Sequence, residues 1–113
     1  MMSIENAEIT GTLLGYGEHG ILTFSIGLKG NGWGVNYGSR ALDGYIKKED
    51  ERKPNQAAMS VIPEILKVVG VRKWEDLKGK YVRVETNGLG RTVTKIGNLI
   101  EDVWLDLDEF FNT

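Results

Sequence analysis

The residues best suited to chemistry lie in a glycine-rich segment, residues 30–45 (GNGWGVNYGSRALDGY). Its rings, amide, guanidinium and carboxylate belong to Trp33, Asn36, Tyr37, Arg40, Asp43 and Tyr45. Aromatic rings stack on ligands, arginine makes forked hydrogen bonds, and glycine lets a ligand approach the backbone closely. The segment therefore predicts a recognition surface. In the alternative, Trp33 and Tyr37 share one strand face and pack against a helix. Arg40 and Asp43 then pair with each other.

A second candidate surface is the C-terminal segment, residues 101–109, which has five acidic residues and no basic one. Apolar residues such as Trp104 and Leu105 alternate with the acids. This pattern predicts either a final strand or helix that completes the core, or an interaction surface. In the second case, Asp106 and Asp108 would contact a basic groove on a partner. Together with Asp102 they could also collect a hard cation, although solvated acids are the simpler interpretation.

Catalytic residue combinations are scarce in this chain. There is no cysteine and only one histidine, His19, which excludes thiolate zinc sites, iron–sulfur clusters, cysteine nucleophiles and multi-histidine metal sites. Residues 15–20 match the G-x-G-x-x-G pattern, but a strand-like segment follows where a dinucleotide site needs a helix. We therefore predict a glycine-rich turn there, no enzyme activity and no cofactor. An enzymatic alternative would use His19 and Asp43 for proton transfer.

Length and charge limit the class of protein. A chain of 113 residues has the size of one domain, so residues 1–113 are expected to form a single domain. Fourteen basic and sixteen acidic residues give a net charge of −2, which argues against nucleic acid as the partner. A basic cluster at residues 72–83 is diluted by acids and indicates nucleic-acid binding only weakly. No apolar run is long enough to span a bilayer, so we expect a cytoplasmic protein.

The N-terminal third has the pattern of short strands. Alternating apolar and polar residues predict strands at residues 4–16, 21–28 and 33–37, with Ile9, Gly11 and Leu13 on one face of the first. Links this short join antiparallel strands, so the three form a meander. Residues 38–54 are expected to be irregular, with the mixed-charge run 47–53 as a solvated loop or a short helical turn.

The second half predicts one main helix and a hairpin. Apolar residues recur at helical spacing in residues 55–69, and Gly70 follows as a C-terminal cap. Pro63 is tolerated if the helix begins near Ser60 and predicts a kink if it begins near Asn55. Residues 81–86 and 92–100 predict a hairpin around the turn at residues 87–88.

These elements define an α+β fold class. An antiparallel sheet, made of a three-stranded meander plus a C-terminal hairpin, is packed by one main helix. The pattern leaves the strand order open. A sheet this small is expected to have an unpaired edge strand, which is compatible with a homodimer.

Residues 40–45 (RALDGY), 65–71 (ILKVVGV) and 74–79 (WEDLKG), with residues 9–16 and 82–85, resemble a family of small uncharacterised proteins carried by phages and prophages. Members of that family have two glycines and an aromatic residue before Ala-Leu-Asp. This chain has Gly38, Ser39 and Arg40 there, so the resemblance assigns no role to Arg40. The resemblance implies an accessory protein that acts on the host, and it names no catalytic residue.

The functional hypothesis is a non-enzymatic binding protein of phage or prophage origin. It would inhibit or sequester a host component, such as a protein of a defence system. The alternatives are a small-ligand or nucleotide-binding domain that uses Trp33, Tyr37 and Arg40, and a weak nucleic-acid-binding protein. A membrane partner is not expected.

Overall fold

A computed structural model of the chain describes residues 3–86 and 93–112. The described residues form one six-stranded antiparallel sheet, a separate two-stranded hairpin and three short α-helices. The strands are β1 (Ser3–Tyr16), β2 (Leu22–Gly30), β3 (Trp33–Ala41), β4 (Asp43–Ile46), β5 (Glu51–Pro54), β6 (Tyr81–Thr86), β7 (Val93–Gly97) and β8 (Trp104–Asp106). The helices are α1 (Gln56–Met59), α2 (Val61–Val69) and α3 (Leu107–Phe111).

The large sheet has the strand order β3-β2-β1-β6-β7-β8. The first part of β1 pairs with β6, from Ser3 opposite Thr86 to Glu8 opposite Tyr81. The rest of β1 pairs with β2. The α+β class is confirmed, but the sheet differs from the predicted one in detail. The N-terminal and C-terminal strands form one sheet through β1, and β8 adds a sixth strand. The predicted turn at residues 87–88 lies outside the described residues.

A β-bulge divides β1. The register with β2 shifts between Ile9 and Gly11, so that Ile9 lies opposite the buried Leu28 and Gly11 lies opposite Gly27. An extra residue in one strand reverses the side-chain alternation beyond it. The prediction that Ile9, Gly11 and Leu13 share one face is therefore wrong. Ile9 is fully buried, whereas Leu13 is 48% exposed.

The core lies between the inner face of the sheet and helix α2. The sheet, the helix and two connecting segments contribute fully buried side chains, which include Ile9, Phe24, Ile26, Tyr37, Leu42, Val61, Ile65, Leu77, Val82, Val84 and Ile96. The sheet curls enough for its two outer strands to meet through a side chain. The Tyr37 hydroxyl donates to the backbone carbonyl of Leu105 on β8, at 3.0 Å.

Residues 38–54 form strands except at residue 42 and in the exposed turn at residues 47–50, so the prediction of an irregular segment is wrong for most of this stretch. Strand β3 continues to Ala41, and β4 and β5 form the separate hairpin. One buried carboxylate organises this region. Asp43 accepts hydrogen bonds from the Arg52 guanidinium at 2.7 and 3.0 Å and from the backbone N–H of Leu22 at 3.1 Å. Because Leu22 is distant in sequence, no local pattern indicated this arrangement.

The helical region is broken at Ser60, and this break accommodates the proline. Asn55 caps α1 by accepting a hydrogen bond from the backbone N–H of Ala58 at 3.0 Å. Helix α2 begins after Ser60, so Pro63 lies in its first turn, where no intrahelical N–H donor is needed. Gly70 ends α2 with φ of 88°, as its predicted capping role requires.

The C-terminal segment packs on the core and keeps its acids at the surface. Leu105 and Leu107 are buried, and Asp106 caps α3 by accepting hydrogen bonds from the backbone N–H groups of Asp108 and Glu109. Of the two hypotheses for this segment, the structure shows the strand-and-helix arrangement. No helix in the described part of the chain is long and apolar enough to cross a membrane.

Replacing Tyr37 by phenylalanine should destabilise the fold by about 1 kcal/mol, because the buried Leu105 carbonyl loses its donor. Urea denaturation measures this change in the free energy of unfolding. Tyr45→Phe is the matched control, since Tyr45 is exposed and should cost less than about 0.5 kcal/mol. Equal effects of the two variants would contradict a specific role for the Tyr37–Leu105 contact.

The Asp43–Arg52 pair should make stability depend on acid pH. The hydrogen bond from Arg52 lowers the pKa of the Asp43 carboxyl below its usual value. The pair's contribution is therefore complete above the unfolded-state pKa of about 3.9 and is lost as the pH falls below it. Comparison of urea midpoints at about pH 6 and about pH 3 should show a smaller pH effect in Asp43→Asn than in wild type. If Arg52→Gln lost as much stability between these two pH values as wild type does, the Asp43–Arg52 pair would not be the source of the pH dependence.

Candidate binding face

Two of the predicted contact residues serve the interior. Tyr37 is fully buried, and burial, aided by the negative charge of Asp106, raises the pKa of its phenol well above the usual range. Asp43 is held by Arg52, and its side chain is only 3% exposed. Both side chains are thus committed to packing and to the β4–β5 hairpin.

Arg40 joins the edge of the sheet to the C-terminal helix. Its guanidinium pairs with the Asp108 carboxylate at 2.6 Å and lies 5.3 Å from the centre of the Phe111 ring. The predicted pairing of Arg40 with Asp43 is wrong, because each residue has another partner. Arg40 and Asp108 remain 38% and 58% exposed, so solvent screens their attraction.

Of the other three predicted residues of the glycine-rich segment, Trp33 and Asn36 line one depression together, and Tyr45 lies apart from them. Tyr45 is exposed and donates a hydrogen bond to Asp50 within the β4–β5 hairpin. Trp33 is half-buried; it packs over Gly30, and its indole N–H donates to Glu5 at 3.1 Å. Asn36 is exposed on β3 and lines two depressions in the outer surface.

These depressions define what we call the glycine face, the outer surface of β1, β2 and β3. Their volumes are about 540 and 300 Å³, and both are open to solvent. They share Thr10, Gly27 and Asn36. The sheet register places Gly11 opposite Gly27, and Gly27 opposite Asn36. The glycine face consists of Thr10, Gly11, Leu13, Ser25, Gly27, Lys29, Gly34 and Asn36.

Two glycines of this face are not required by the fold. Gly11 and Gly34 have no left-handed backbone angle. A Cβ on Gly11 would meet nothing within 4 Å, and one on Gly34 would meet only the Leu28 carbonyl, at an ordinary 3.6 Å. Glycine inside a strand costs stability, and close approach of another molecule is a recognised reason to keep it. These two positions therefore leave the backbone open to close approach by another molecule, and at Gly11 the adjoining β-bulge is a further recognised reason for glycine.

Gly27 and Gly30 have a packing reason, whereas Gly15 of β1, like Gly11, has none. A Cβ on Gly27 would lie 2.8 Å from the Thr10 hydroxyl, and one on Gly30 would lie 2.1 Å from the Trp33 ring. The fold thus needs glycine at Gly27 and Gly30, where a side chain would overlap a neighbour, but has room for a side chain at Gly11 and Gly34. This difference also gives internal controls for experiments on the face.

The glycine face offers hydrogen-bonding groups. Thr10, Ser25 and Asn36 offer polar side chains, and the glycines expose the backbone between them. Within residues 3–86 and 93–112, no group of three or more His, Asp or Glu residues is placed to hold a metal ion. His19 is exposed in the turn after β1, and none of the hydrogen bonds of Asp43 involves it. The structure does not bring the two residues of the enzymatic alternative into contact.

No protein-family model, no curated protein and no solved structure matches the chain. The assignment of this face rests on the geometry of the chain alone. Sequence reasoning identified Asn36 but missed Thr10, Gly11 and Gly27. The density of glycine was the available signal, but the bulge in β1 decides which glycines face outward.

Alanine at Gly11 or at Gly34 should leave the free energy of unfolding within about 1 kcal/mol of wild type, or raise it, because the added methyl group has room. Gly30→Ala should destabilise by about 1–3 kcal/mol, because its Cβ would overlap the Trp33 ring. Urea denaturation of the three variants measures these differences. A large loss at Gly11 or Gly34 would mean that the fold itself requires glycine there.

Proposed function

We propose that this chain is a non-enzymatic binding protein that contacts a protein partner through the glycine face. The observation that carries the proposal is the presence of two strand-interior glycines, Gly11 and Gly34, that neither backbone angle nor packing requires. Their place beside two open depressions supports contact with another molecule rather than a role in the core.

The shape of the face favours a macromolecule over a small ligand. Small-ligand sites enclose most of the ligand surface within a cleft lined mainly by apolar groups. Here the two depressions are open and extend over three strands. Polar residues line them (Thr10, Ser25 and Asn36), together with apolar ones (Leu13, Leu28, Trp33 and Val35). A protein segment that lies along the surface would cover both depressions and could use their hydrogen-bonding groups.

The charge of the face favours protein over nucleic acid. Among the described residues, Lys29 is the only basic one that lines the two depressions. Nucleic-acid sites depend on several cations that neutralise phosphates, and the chain as a whole has a net charge of −2. A face with one cation among polar and apolar residues matches the mixed composition of a protein surface instead.

The resemblance to phage and prophage accessory proteins supports a host protein as the partner. A compact binding protein acts on such a target by covering one of its surfaces. We therefore propose inhibition or sequestration of a host component, such as a defence-system protein.

The test compares variants in capture from host lysate, followed by native mass spectrometry. The amount of partner captured by Gly11→Val/Gly34→Val should be about tenfold lower than for wild type, or lower still, because two branched side chains keep a partner away from the backbone. Gly44→Val is the matched control, since its Cβ also meets nothing within 4 Å but lies on the separate β4–β5 hairpin. Circular dichroism confirms that all three proteins are folded.

A partner retained at fixed stoichiometry by wild type and control, and lost by the double variant, is the expected result. Equal retention by all three proteins would contradict the assignment of the face. A small-molecule adduct without a protein partner would favour the ligand-binding alternative.

A further inference from the structure

A cluster of unpaired cations lies outside the glycine face. Between α2 and β6 the chain surrounds a depression of about 560 Å³. Four basic residues line it, and we call them the basic patch: Arg72, Lys73, Lys78 and Lys80. All four are exposed. Two acidic residues, Glu75 and Asp76, also line the depression, so its rim has a net charge of +2 in a chain of net charge −2.

The fold makes no electrostatic use of the basic patch. None of the ion pairs among residues 3–86 and 93–112 involves any of its four cations. Arg83 is near these cations in sequence, but its side chain contacts the segment between β7 and β8. Its guanidinium donates to the carbonyls of Asn98 and Glu101 and lies 4.7 Å from the centre of the Trp104 ring. Glu75 and Asp76 lie in the same rim but form no ion pair with these four cations, so ion pairs within the described residues do not account for the patch.

The basic patch adjoins the glycine face through the backbone. The N–H of Ile9 donates to the carbonyl of Lys80 at 2.8 Å, and the N–H of Gly79 donates to the carbonyl of Ile9 at 2.7 Å. Ile9 directly precedes Thr10, which lines both depressions of the glycine face. The backbone of β1 therefore connects the two surfaces.

We propose that the basic patch is a second contact surface, which binds an acidic segment of a protein. That this segment belongs to the partner on the glycine face rests on the function proposed above. Charge complementarity selects the occupant, because an acidic segment supplies the counterions that the fold does not. It also steers the encounter from a distance, since exposed charges raise association rates at low salt.

The composition of the rim favours an acidic protein segment over a nucleic acid. Glu75 and Asp76 would repel a continuous phosphate chain, whereas a protein can place a basic residue opposite them. None of the residues that line the depression is aromatic, although sites for single-stranded nucleic acids combine cations with stacking rings.

The test measures binding of a fluorescein-labelled octaglutamate peptide by anisotropy at about 20 mM salt, where screening is weak. Lys78→Gln/Lys80→Gln should weaken binding by about fivefold, because half of the patch cations are removed. Lys47→Gln/Lys48→Gln is the matched control, since it removes two exposed cations from the β4–β5 turn and changes the net charge equally. The control should stay within about twofold of wild type.

Equal weakening in the two double variants, or no measurable binding to wild type, would overturn the proposal. Tighter binding of an oligothymidine of similar charge than of the peptide would overturn it in favour of nucleic acid. Gly11→Val/Gly34→Val should bind the peptide as wild type does, because the peptide probes the patch alone. The peptide result therefore stands or fails separately from the glycine-face proposal.

Discussion

The bulge in β1 is the constraint on which the rest of the molecule depends. Strand β1 pairs with β6 over residues 3–8 and with β2 over residues 8–16, on both sides of the bulge, so it holds the N-terminal and C-terminal strands in one sheet. The extra residue reverses the side-chain alternation, which leaves Ile9 in the core and turns Gly11 outward. The same local feature thus completes the core and creates the open surface beside it.

Polar contacts between distant segments then close the fold around this strand. The Tyr37 hydroxyl joins β3 to β8, and the Asp43 carboxylate joins the β4–β5 hairpin to β2. Buried polar groups need such partners, because an unpaired one costs the full desolvation of the group. These contacts explain why Tyr37 and Asp43, which the sequence predicts as binding residues, are buried and stabilise the fold.

The two surfaces that remain differ in chemistry but meet at one strand. The glycine face offers exposed backbone and neutral polar groups, and the basic patch offers cations without partners. Ile9 separates them, with its backbone paired to Lys80 and its neighbour Thr10 on the glycine face. Such a combination suits binding in which shape limits the approach and charge guides it.

The sequence by itself determined the α+β class, the strands of the N-terminal meander, the helix that ends at Gly70 and the concentration of glycine. These features follow from period, turn residues and composition, which are local properties. Only the tertiary structure decided the strand order, the β4–β5 hairpin and the outward-facing glycines. It also assigned Tyr37 and Asp43 to the interior, because their partners, Leu105 and Leu22, are distant in the chain. A contact between distant residues and a single bulge leave no periodic trace, so their consequences appear only once the chain is folded.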